Sequence, residues 1–228
     1  MLKKRNRGIE IADIGIQQVE EALERPAKEQ SLPAIAVGLK KYIWLIDRFQ
    51  KAKNISQDEC FRKAYDDFFK IKQRRLHEKF YDAYYALMQK CKQDGRMDIT
   101  FPEILKHLDK KVVLYEKKWS VEASLCSKLL SMINKNMPVW DKWIRQNLQM
   151  SPISAVPAEK RMEKANSTFQ SLCEKYEFFF EKDKAIAEEW IERFDDAPEI
   201  KPIIKEANAK KVKITDVKKI DLILWQIR

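Results

Sequence analysis

From Gln57 to about Cys91 the apolar residues keep helical spacing: Phe61, Tyr65, Phe68, Phe69, Leu76, Phe80, Ala83, Tyr84, Leu87 and Met88 fall on one stripe. Such a stripe can bury itself only as helix, because a strand would send alternate members to opposite faces. Ser56 stands at its start as a cap, and the segment is long for one globular helix, so a break is predicted near Gln73. The composition agrees. Only four of 228 residues are glycine, while 45% are hydrophobic and 11% aromatic. The chain therefore lacks both the turns of a β-rich fold and the polar bias of a disordered one, and an all-α protein with a substantial core is expected.

The other segments read the same way. Ile11, Ile14, Val19, Ala22 and Leu23 give a loose helical period that stops at Pro26, and Pro33 marks the start of a second helix over Ala34–Ala52. Thr100-Phe-Pro-Glu103 is a capping box ahead of Ile104, Leu105 and Leu108. Pro152 and Pro157 delimit a loop. A long helix through Phe169, Tyr176 and Phe180 follows, then another through Ile186, Trp190 and Phe194. Pro202 and Lys210-Lys-Val-Lys213 read as a linker before a last helix capped by Thr215. No repeat or low-complexity tract divides the chain, so residues 1–228 read as a single all-helical unit.

The net charge of +10 favours an anionic partner such as nucleic acid, because neutralised phosphates release counterions. The charge is uneven. Residues 51–118 hold 17 Lys/Arg against 11 Asp/Glu, whereas residues 159–197 hold 7 against 11, which predicts one basic and one acidic face. Lys70, Lys72, Arg74, Arg75 and Lys79 lie opposite the aromatic stripe, as a phosphate track or as a solvated helix face. The basic start Met1–Arg7 is either a nucleic-acid arm or a frayed terminus.

Cys60, Cys91, Cys126 and Cys173 are widely spaced and read as reduced core thiols. No Cys-x-x-Cys pair occurs, and His77 and His107 stand far apart, so no metal or cofactor is expected. No apolar leader core or membrane-length apolar window is present, and a cytoplasmic location without membrane partner is expected.

Function turns on the central stretch. Ser120 starts a helix in which Leu125, Leu129, Met132 and Ile133 face one way while Ser124, Lys128, Ser131 and Lys135 recur on another face, small, polar and positive. That face suits close approach of a phosphate backbone and close packing of a second helix equally. After Asn134-Lys-Asn-Met-Pro-Val-Trp-Asp141 a basic amphipathic segment, Lys142–Leu148, begins. Asp141 fits either of two roles, helix cap or catalyst.

Residues 120–148 resemble the second hairpin helix, loop and following helix of the helix-hairpin-helix DNA glycosylase superfamily, in which an Asp placed like Asp141 faces the scissile sugar–base bond. In addition, Ser127-Lys-Leu-Leu130, Met137-Pro-Val-Trp-Asp141 and Lys218-Lys-Ile-Asp-Leu-Ile-Leu-Trp-Gln226 are similar to a group of uncharacterised bacterial proteins sharing S-K-L-L, P-I-W-D and I-D-x-x-L-W-Q patterns. The second resemblance brings no activity with it. The first implies two closely packed helical lobes meeting near residues 117–148 and an Asp141 carboxylate that stabilises charge on the departing sugar or helps activate water. This chain departs from the family at the hairpin: Lys117-Lys-Trp-Ser-Val121 replaces Leu-Pro-Gly-x-Gly, whose glycines offer backbone N–H groups to phosphate.

Carried onto this sequence, Lys117, Lys118, Ser120, Lys128 and Arg145 become the candidate nucleic-acid contacts. Lys128 is out of register with the family's Schiff-base lysine, which would fall nearer Glu122, and reads as a phosphate contact or a surface residue. Trp140 and Trp143 are candidate pocket walls, or core. Arg145 suits a phosphate, or an i,i+4 pair with Asp141. The expectation is a DNA-glycosylase-like protein that binds DNA and hydrolyses an N-glycosidic bond as a monofunctional enzyme. The alternatives are a non-catalytic nucleic-acid binder and a helical protein-interaction module.

Overall fold

The aromatic segment breaks where its basic residues accumulate. Helix α3 (Glu59–Phe69) opens at Asp58, whose carboxylate accepts the Phe61 N–H at 3.0 Å and pairs with Arg48 at 2.6 Å. Arg48 holds that carboxyl below the usual range. Ser56, the cap expected from the sequence, instead donates its hydroxyl to Asn54 at 2.7 Å. The helix ends at Lys70 with φ 55, a 3-10 turn spans Ile71–Arg74, and Arg75 with φ 51 leads towards α4 (Glu78–Gln93). Two non-glycine residues in the left-handed region, Lys70 and Arg75, end one helix and turn the chain before the next.

This computed structural model describes residues 9–24, 35–116 and 120–227, together eleven α-helices with no strand among the described residues. The basic start, Pro26, Pro33, Lys117 and Lys118 lie outside the described residues. The predicted break near Gln73 is present. So is the capping box of α5 (Phe101–Glu116), where Glu103 accepts the Thr100 N–H at 2.8 Å and Thr100 Oγ1 accepts the Glu103 N–H at 3.4 Å. Around α3 and α4 the rings of Tyr65 and Phe69 lie 4.8 Å apart and those of Phe68 and Phe69 4.6 Å apart, so the stripe is core. Its buried hydroxyls have partners: those of Tyr65 and Tyr84 bond to each other at 3.0 Å, and Tyr84 donates to the Leu125 carbonyl at 3.0 Å.

Two helices organise the rest. Every residue of α6 (Ala123–Ile133) from Leu125 onward is buried, and α6 packs on α4 and α5. Likewise α11 (Asp216–Gln226) is buried from Lys218 to Leu224, held among α1 (Ile16–Glu24), α2 (Ile35–Lys51), α7 (Lys142–Asn147) and α9 (Lys184–Asp196). The long α8 (Arg161–Glu181) packs on α5, where the Phe169 ring stacks on Phe101 at 4.0 Å, and reaches α11 through Tyr176, which donates to Asp221 at 2.7 Å. No described helix is long and apolar enough to cross a membrane.

Three local expectations are corrected. Helix α6 starts at Ala123 with Glu122 as its cap position; Ser120 lies ahead of it, its hydroxyl donating to Glu122 at 2.8 Å. The stretch from Pro202 is no linker, because Pro202 occupies the first turn of α10 (Lys201–Ala209), which buries Ile203 and Ala207. Cys91 and Cys126 are buried thiols, but Cys60 is exposed.

Candidate functional site: a cationic cavity at the Pro-Val-Trp-Asp segment

The segment between α6 and α7 forms no ladder, so its backbone groups must find side chains. They do. Ser127 of α6 accepts the Trp140 N–H at 2.9 Å and passes its own proton to the Ser124 carbonyl at 3.0 Å. From α11, both carboxylate oxygens of Asp221 share the Val139 N–H at 3.3 Å. Thr215 caps α11 and donates its hydroxyl to the Lys135 carbonyl at 2.7 Å. At the end of α7, Asn147 closes the joint by donating to the carbonyls of Leu224 at 2.7 Å and Ile227 at 2.9 Å. The extended segment is thus stitched to both buried helices.

At this junction lies a cavity of about 640 Å³, within the size range of small-ligand sites. The three sequence patterns that lie far apart in the chain all reach its wall: Lys128 from the first, Val139, Trp140 and Asp141 from the second, and Asp221 and Trp225 from the third. The basic turn after α3 adds Lys70, Gln73 and Arg74 as a lip. Of the residues expected to form a site, Asp141, Lys128, Trp140, Trp143 and Arg145 therefore come together. Ser120 stands beside the lip, accepting from Arg74 at 3.4 Å. Lys117 and Lys118 fall outside the described residues.

Asp141 is both a cap and a cavity residue. Its Oδ1 accepts the Trp143 N–H at 2.8 Å, and its Oδ2 accepts no hydrogen bond from the described residues. The side chain is half-buried. Arg145 does not pair with it across the helical turn; the guanidinium donates to the Met150 carbonyl at 2.9 Å and fixes the end of α7. Trp140 is buried, in a loose parallel stack with Phe101, yet one edge lines the cavity, so the core and wall readings both apply. Trp143 is half-buried on the same wall, with the Lys142 ammonium 4.6 Å from its ring centroid.

Lys128 is neither exposed surface nor a simple helix-face cation. Only 7% of it is exposed, and its Nζ donates to the Phe69 carbonyl at 2.8 Å, bracing the end of α3. Burial pulls its pKa down, and the nearby Asp141 carboxylate partly offsets that. No carboxylate lies within ion-pair distance of it among the described residues.

The floor holds an ion pair that sequence reasoning left out of the site. Lys218 and Asp221 meet at 2.7 Å, both almost fully buried, and Tyr176 donates to Asp221 at 2.7 Å. Burial pushes the Asp221 carboxyl up, while the ammonium, the phenol and the Val139 N–H pull it back. The signal was a carboxylate on the inward stripe of an apolar helix, one turn after Val217, where a charge is retained only with partners. At the lip, Glu122 grips Arg74 through two bonds of 2.8 Å and raises its pKa.

Once these internal pairs are set aside, the cavity wall is strongly positive. Lys218 is neutralised by Asp221 and Arg74 by Glu122. Lys41, Lys70, Lys128, Lys142 and Arg145 remain, facing only Asp67 and Asp141. Among the described residues no group of three or more His, Cys, Asp or Glu side chains gathers with metal-ligand geometry. Compared with protein-family models, curated proteins and solved structures, the chain shows no match in any of the three.

Proposed function

We propose that the chain is a DNA-glycosylase-like nucleic-acid-binding protein whose cavity receives one unstacked nucleotide, with Asp141 assisting cleavage of its N-glycosidic bond. The observation that carries this reading is the wall itself: five cations without a carboxylate partner among the described residues, three tryptophans, and the Asp141 carboxylate, whose Oδ2 accepts no hydrogen bond from the described residues, border the same opening. Cations attract the backbone, an indole face stacks on any base, and a fixed carboxylate favours the positive charge that develops on the sugar as the base leaves. Water supplies the hydroxyl to the anomeric carbon and a proton to the departing base.

The fold proposed with this function is a variant of the two-lobed helix-hairpin-helix arrangement, with α6, the Pro-Val-Trp-Asp segment and α7 in the place of the catalytic hairpin, loop and helix. One observation favours a second reading, a non-catalytic binder. The Oδ1 bond to the Trp143 N–H already gives Asp141 a structural reason to be there.

The experiment uses purified protein and a panel of lesion-containing duplexes, with Asp141→Asn beside the wild type. Asparagine keeps an acceptor for the Trp143 N–H, so the cap survives while the charge is lost. On the catalytic reading, wild-type protein releases base and the variant is slower by about 100-fold or more. Undiminished release by the variant removes Asp141 from the mechanism. Strand binding without base release leaves the non-catalytic reading.

A further inference from the structure

A buried ammonium is costly unless an anion faces it. Lys218, on the cavity floor, meets this condition through Asp221. Lys128, on the wall, does not: it is also buried, but its Nζ spends one of three donors on a neutral carbonyl and has no carboxylate at ion-pair distance among the described residues. The carbonyl belongs to Phe69, so the ammonium sits against the start of the basic lip, beside Lys70. Lys70 likewise has no carboxylate at ion-pair distance among the described residues, and neither have Lys41 and Lys142, which also line the cavity.

The anion that suits such a wall has more than one charge and several acceptor oxygens. A phosphodiester offers one charge and two free oxygens. A phosphomonoester carries about −1.5 to −2 near neutral pH and three free oxygens, enough to take the two remaining Lys128 donors and a lysine of the lip together. It also balances the excess of cations more closely. We propose that Lys128 and Lys70 form a subsite for the terminal phosphomonoester of a nucleotide, whose base then lies towards Trp143. This rests on reading the cavity as a nucleotide site. The phosphate comes from a free nucleotide or from the end of a strand.

Trp140, Trp143 and Trp225 border the cavity, so tryptophan fluorescence reports its filling. At low salt the full chain is titrated with inorganic phosphate, a nucleoside, its 5′-monophosphate, and one short single strand prepared with and without a 5′-phosphate. The monophosphate is expected to bind about tenfold or more tightly than the nucleoside, in line with a charge-assisted hydrogen bond. Lys128→Gln should erase that preference; glutamine still has a donor for the Phe69 carbonyl, and an unchanged melting curve confirms the fold. In wild-type protein, the Lys128 side-chain resonances should move when inorganic phosphate is added, which tests the subsite without any substitution.

A preference shown by the free monophosphate identifies a free nucleotide as a sufficient ligand; one shown only by the phosphorylated strand identifies the strand end. Either supports the subsite. Equal binding of nucleoside and monophosphate, with strands indifferent to their terminal phosphate, overturns it and leaves nucleic-acid binding standing. Monophosphate binding that depends on Lys128, with no affinity for any strand, supports the subsite and overturns the nucleic-acid reading instead.

Discussion

A carboxylate enclosed by apolar side chains persists only if its partners replace the water it has lost, and Asp221 has three: Lys218, Tyr176 and the Val139 N–H. Removing the acid alone strands a buried ammonium and a backbone donor. Asp221→Leu should therefore destabilise the protein by about 3–5 kcal/mol in urea unfolding, and adding Lys218→Met should recover a substantial part of the loss. Equal stability of the single and double variants would show that the ion pair is not the source. At this scale the sequence was only partly legible. Asp141 stood out because it follows a proline and opens a helix. Asp221 and Ser127 lay inside patterns already singled out, but nothing in their spacing tells that they bond to the same extended segment, since those hydrogen bonds join residues 13 and 82 positions apart.

Helix starts show where local chemistry decides and where packing overrides it. The capping box of α5 was readable because all its partners lie within four residues. Its Glu103 carboxyl is lowered to about 2, chiefly by the Thr100 N–H and hydroxyl and then by Arg96. The folded value lies below the unfolded one, so this contribution is fully present above the ordinary carboxyl range and is lost as pH falls from about 4.5 towards about 2. Glu103→Gln should therefore lower the melting temperature at pH 7, and the gap from wild type should narrow through pH 4 and close near pH 2; a gap independent of pH would refute the charge assignment. Other starts depended on distant groups. Asp58 displaces Ser56 as the cap of α3 because Arg48 from α2 holds its carboxylate in place. Helix α10 escaped notice because two buried positions, Ile203 and Ala207, are too few to show a period, and its proline resembles a breaker when it is in fact a first-turn residue.

For the whole molecule, net charge favours an anionic partner without saying where one would dock, because 45 basic residues are spread along the entire sequence. The fold sorts them. Many are spent internally, as in the pairs Lys201–Asp196 and Lys210–Glu206, whereas the cavity collects lysines from α2, the lip, α6 and the start of α7 that meet no carboxylate among the described residues. Helical class could be read from period and glycine scarcity; the cavity could not, because it exists only once α6 and α11 clamp the segment between them. If this is the nucleic-acid face, single-strand affinity should fall steeply with salt, and every cation–phosphate pairing removed should reduce the slope of log affinity against log salt by about 0.7. Lys70→Gln and Lys142→Gln should each flatten that slope, and the pair together should flatten it about twice as much. Lys201→Gln, which removes a charge already paired with Asp196, should leave it unchanged. A slope that responds equally to all three substitutions would mean that binding follows overall charge, and the cavity would lose its claim to be the docking face.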